Sequence, residues 1–67
     1  MKLYEFIVTY DNSTEVYKDY KYFKSLKECK EYIARYKMDV VRVKVANNVW
    51  DEEILKNAKE ELKNREL

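Results

Sequence analysis

From Tyr17 to Lys24 the chain reads Tyr-Lys-Asp-Tyr-Lys-Tyr-Phe-Lys, aromatic rings interleaved with ammonium groups. Rings that stack on bases, set beside amines that meet phosphates, are the chemistry of a single-strand nucleic-acid platform. Lys18, Lys21, Lys24 and Lys44, together with Tyr17, Tyr20 and Arg42, are the residues that would carry it. The same pattern also describes an edge strand whose aromatics enter a core while its lysines keep the edge soluble. Asp19 interrupts the run, and 14 basic residues against 13 acidic ones leave a net charge of only +1. That balance falls short of the basic surface that charge-driven nucleic-acid binding requires. The aromatic surplus, seven Tyr with one Trp and two Phe, fits a protein partner better, since Trp, Tyr and Arg carry much of the energy of protein interfaces. Tyr17, Tyr20, Trp50 and Arg42 are the contact residues this reading selects. Trp50, in a loop ahead of a helix, serves equally well as a hot spot or as a plug that seats the helix.

Catalytic chemistry finds little to work with. The chain has no His, which removes the commonest general base and metal ligand, and no Gly, which removes phosphate-cradling loops. Cys29 has no imidazole to activate it and falls at helical spacing with Leu26 and Ile33, the pattern of a buried structural thiol. The acidic clusters Asp51-Glu52-Glu53 and Glu60-Glu61 point their carboxylates in different directions on a helix, so neither converges on a metal or on one substrate atom. No catalytic, cofactor-binding or metal-ligating residue is therefore expected, and no small-molecule substrate. The single cysteine excludes an internal disulfide, and no apolar run is long enough to span a bilayer, so the expected location is cytoplasmic.

The elements that must position these residues are legible in the pattern. Residues 2–10 are rich in aromatic and β-branched types, apolar at every even position from Tyr4 on and half apolar at the odd ones. A strand of that kind belongs in the middle of a sheet. A second strand spans 16–23 after a turn at Asp11-Asn12-Ser13. Cross-strand pairing favours a five-residue loop that sets Tyr20 opposite Phe6, Tyr22 opposite Tyr4, Lys21 opposite Glu5 and Phe23 opposite Leu3. Ser25-Leu26-Lys27-Glu28 is a capping box opening an amphipathic helix to about residue 37, with Leu26, Cys29, Ile33 and Tyr36 on its apolar side. A third strand, 40–46, presents Val41, Val43 and Val45 on one face and Arg42 and Lys44 on the other. Asn48 or Asp51 caps a last helix to about residue 64, with fraying from 63 onward.

These elements predict one α+β domain over residues 1–67, ββαβα, with a three-stranded sheet in the order 2-1-3, one helix on a face and a C-terminal helix. The first helix covers one sheet face. The other still carries apolar groups, so either the last helix or a second subunit should cover it, and a homodimer is a natural expectation at this size. A short hairpin, helix, strand and helix in a Lys/Tyr/Asn-rich chain without glycine resembles the small accessory proteins of bacteriophages and mobile elements, loosely the anti-CRISPR and other anti-defence inhibitors. That resemblance implies a non-enzymatic protein-binding module that blocks a larger host protein in the bacterial cytoplasm. The alternatives are a single-stranded nucleic-acid binder or a structural homodimer subunit.

Overall fold

The computed structural model describes residues 1–9 and 15–66. The element order is β1 (Lys2–Thr9), β2 (Val16–Phe23), α1 (Leu26–Arg35), β3 (Val40–Val45) and α2 (Glu52–Arg65). The strands form one sheet ordered β2-β1-β3, both pairings antiparallel, so the chain is α+β in ββαβα order with β1 in the centre. The expected turn at Asp11-Asn12-Ser13 and the end of the first strand at Tyr10 lie outside the described residues.

The even positions of β1 make the core. Tyr4, Phe6 and Val8 are buried with Phe23 and Cys29, and Tyr32, Ile33, Met38, Val40 and Val43 pack against them. Burying one such side chain contributes roughly 1.5–3 kcal/mol. Phe23 is the meeting point of this cluster. It stacks on Phe6 with 6.0 Å between centroids, meets Tyr4 edge-on at 6.2 Å and tilts against Tyr32 of α1 at 5.3 Å.

The β1–β2 register is one residue away from the expected one. Tyr20 lies opposite Glu5, not Phe6; Tyr22 opposite Leu3, Lys21 opposite Tyr4 and Phe23 opposite Lys2. Pairwise scoring of facing residues favours aromatic opposite aromatic, but here the rings meet diagonally and through α1. The register is instead held on the other face, where the Tyr20 hydroxyl donates to Glu5 Oε2 at 2.9 Å. On β3 a bulge between Ile7 and Val8 of the pairing leaves Val41 without a partner, so Val40 takes the place opposite Val8. Val41, expected on the core face, is 65 % exposed as a result. Leu26, expected beside Cys29 and Ile33, is the first helical residue, only three positions beyond the end of β2, and stands 44 % exposed.

Both helices begin on the caps their sequences provide. Ser25 Oγ accepts from the Glu28 amide at 3.2 Å, and Asp51 Oδ1 accepts from the amides of Glu53 at 2.9 Å and Ile54 at 3.4 Å. These side chains satisfy amides that the first helical turn leaves without partners. α2 lies along β2 and turns Ala58 inward. Its last turn reaches the α1 side of the sheet: the Arg65 guanidinium stands 4.1 Å over the Phe23 ring and 5.4 Å from the Tyr32 ring. Arg65 also donates to the Tyr22 carbonyl and pairs with Glu61 at 3.0 Å. The helix thus continues past residue 64 to an anchored residue.

α1 ends without glycine in a motif that prefers one. Lys37 takes a left-handed conformation at φ 50°. Its amide donates to Ala34 at 3.3 Å and the Met38 amide donates to Ile33 at 3.1 Å, the paired bonds of a Schellman end. A side chain with a Cβ is disfavoured there by about 1 kcal/mol. Lys37→Gly should therefore raise unfolding stability by roughly 0.5–1 kcal/mol in urea titration; a loss of stability would show that the Lys37 side chain contributes more than its backbone costs.

Candidate protein interface

The alternation along β1 sorts the sheet into two faces. One carries Tyr4, Phe6 and Val8 under α1. The other carries Leu3, Glu5, Ile7 and Thr9, flanked by Val16, Lys18, Tyr20 and Tyr22 on β2 and by Arg42 and Lys44 on β3. The ring, ion and hydrogen-bond contacts described for α2 all lie on the α1 side or at the outer edge of β2.

At the centre of the second face lies Glu5, only 8 % exposed. A buried carboxylate is costly unless hydrogen-bonded and paired. Tyr20 supplies the hydrogen bond, and Lys44 Nζ sits 3.7 Å from Glu5 Oε1. Partial burial, then the hydrogen bond to Glu5 and its negative charge, hold the Tyr20 phenol above its ordinary pKa of 10.0. Three strands are thereby tied across one face by a Tyr–Glu–Lys bridge.

The expected contact residues divide between locations. Tyr20 and Arg42 share the second face. Tyr17 lies opposite Val8 and so belongs to the α1 side. Trp50 sits in the segment between β3 and α2 and is 83 % exposed, so it does not plug α2 against the sheet. Of the residues expected to meet nucleic acid, Lys18 and Lys44 share the second face. Lys21 turns the other way, 3.3 Å from Asp19 and 5.9 Å over the Tyr32 ring, and Lys24 is exposed in the bend before α1. The Tyr/Lys run is thus divided between two faces by the period of the strand.

Two residues matter more than sequence reasoning suggests. Glu5 reads as a lone polar interruption of a strand, and Glu61–Arg65 as a routine i,i+4 pair. The signal for Glu5 is a carboxylate between aromatic neighbours, which demands a donor from an adjacent strand. For Arg65 there is no local signal, because its partners Phe23 and Tyr22 are more than forty positions away.

Cys29 is buried in the core, and that burial pushes its thiol up to about 11 against the opposing pull of Arg65. At neutral pH it is a protonated, apolar filler. Between the helices runs an open groove of about 520 Å³ bordered by Phe23, Glu28, Tyr32, Arg35 and Arg65. Among the described residues no group of three or more His, Cys, Asp or Glu side chains is gathered to hold a metal ion, and no helix is long and apolar enough to cross a membrane. Compared with protein-family models, with curated proteins and with solved structures, the chain matches none.

The bridge has a pH signature. The fold favours the neutral Tyr20 phenol, so its contribution is complete below the unfolded value near 10.0 and is lost as pH rises through the higher folded value. Tyr20→Phe should remove part of the alkaline loss of stability measured by urea titration, with the rest remaining because burial raises Tyr32 as well. Identical alkaline slopes for the two proteins would show that the Tyr20 phenol titrates as it does in the unfolded chain.

Proposed function

We propose that this chain is a non-enzymatic protein-binding module that inhibits a larger protein by occluding it. The observation that carries this reading is Trp50, the one Trp of the chain, left 83 % exposed. A small domain that needs apolar area for its own stability gives up the largest side chain it has. Trp is also the residue type most enriched among interface hot spots. The second sheet face adds Tyr20 and Arg42 with a charge-bridged centre. The architectural likeness to small accessory proteins of bacteriophages and mobile elements supports a host protein of the bacterial cytoplasm as the target.

A second reading, single-stranded nucleic-acid binding, draws on Lys18, Arg42 and Lys44 placed around Tyr20 and Tyr22. The Glu5 carboxylate in the middle of that face weighs against a phosphate backbone there, and Lys21 is occupied on the opposite side.

Affinity capture from a bacterial lysate, with and without nuclease, separates the two. Stoichiometric recovery of a protein in both conditions is the expected outcome, with Trp50→Ala weakening it by about thirtyfold or more, the range of a hot-spot truncation. Capture that disappears with nuclease and falls steeply with salt would replace this reading with the nucleic-acid one. Retained capture by a folded Trp50→Ala protein would remove Trp50 from the interface.

A further inference from the structure

The two edges of the sheet are treated differently. The Ala46 amide donates to the Leu3 carbonyl at 2.8 Å and the Thr9 amide to the Asp39 carbonyl at 3.0 Å, so the odd residues of β1 address β3 and the even ones address β2. By the same alternation Tyr20 and Tyr22 turn their backbone groups to the outer edge of β2. One group of each is engaged there. The Tyr20 amide donates to Asp19 Oδ1 at 2.9 Å, and the Tyr22 carbonyl accepts from Arg65. α2 lies alongside. β3 has no such cover. Glu5 and Lys44 face each other across the ladder, which leaves Val43 and Val45 directed outward, and among the described residues no hydrogen bond is made to their outward groups.

We infer that β3 is a strand-addition edge that receives an extended, acidic segment of a partner protein, alternating carboxylate and apolar side chains. This inference rests on the protein-binding reading and specifies its mode. Backbone pairing along an open edge supplies affinity, and alternate side chains supply selectivity. Here the alternation is explicit. Arg42 and Lys44 stand on one face, and Val43 and Val45 on the other. An added strand therefore meets Arg42 and the Glu5-paired Lys44 on one side and two β-branched apolar groups on the other. A second copy of this chain is a poor match. Two β3 strands paired over most of their length, about a two-fold axis at Arg42, Val43 or Lys44, would set Arg42 against Lys44 or either residue against its own copy. Like charges directly opposite are unfavourable, whereas opposite charges there are favourable.

The test is direct binding of a labelled peptide of alternating Glu and Val, compared with a block peptide of the same composition whose Glu residues are gathered at one end. Val43→Pro deletes an outward amide that β1 does not use, and Arg42→Glu reverses one charge of the edge. Preference for the alternating peptide, weakened about tenfold by each variant, is the expected result. Val43→Pro also trims a half-buried side chain, so Arg42→Glu alone decides if the proline variant fails to fold. Equal affinity for both peptides, or no effect of Arg42→Glu, overturns the inference. A concentration-dependent dimer dispersed by Arg42→Glu overturns the choice of occupant. Capture of a protein through Trp50 with no peptide preference defeats the edge inference alone. Peptide binding beside capture that nuclease abolishes defeats the protein-binding reading alone.

Discussion

Phe23 holds the domain together because β1, α1 and α2 all meet on its ring. It is the last residue of β2, stacks on Phe6 of β1, meets Tyr32 of α1 and lies under the Arg65 guanidinium of α2. A domain this small has few fully buried side chains, and among the described residues Phe6, Phe23 and Cys29 are the largest of them. α2 has a narrow apolar stripe, with Ala58 its one buried residue. What its stripe does not supply, Arg65 does, through a flat cation on a ring, an ion pair with Glu61 and a hydrogen bond to the chain end of β2. The Arg65 Nη1 and Glu61 Oε1 atoms are buried and face each other as charges and not as a hydrogen-bonded pair, so each depends on the other for compensation.

The second sheet face follows from the same economy. Glu5 is satisfied by its neighbours in the sheet. Tyr20 and Lys44 do this from opposite strands, and in doing so they tie both pairings of β1 at one point. The bridge is a fixed polar centre beside buried Leu3 and half-buried Ile7 and Tyr22, its chemistry already set when the chain folds.

Much of this was legible residue by residue. The period-two run of Tyr4, Phe6 and Val8 marks a core strand, and the Ser25–Glu28 and Asp51 caps mark where helices start, because each is a local property of a few neighbouring residues. Strand order followed from the composition of the first strand and the length of the crossover. The one-residue shift between β1 and β2 did not follow, since the rings that favour aromatic facing pairs are satisfied diagonally and by Tyr32. Nor did the bulge at Val41, which needs knowledge of how β3 leaves the α1 end at Lys37 and Asp39. Arg65 was visible only as a helix pair with Glu61, because its partners are set by tertiary packing. The Tyr/Lys run illustrates the limit well: its residue types suggest one surface, and the pleat divides it.

Covering part of the β2 edge while leaving β3 bare also bears on how many strands the sheet can recruit. A sheet with two bare edges passes its template on, since each newcomer exposes an edge of its own beside a second free one, and the product is a fibre. Here α2 lies along the far side, where Asp19 and Arg65 already take the Tyr20 amide and the Tyr22 carbonyl, so that edge is the harder one to extend. On the strand-addition inference the domain would act as an end cap: a monovalent fitting for a partner's strand and a poor seed for stacking its own.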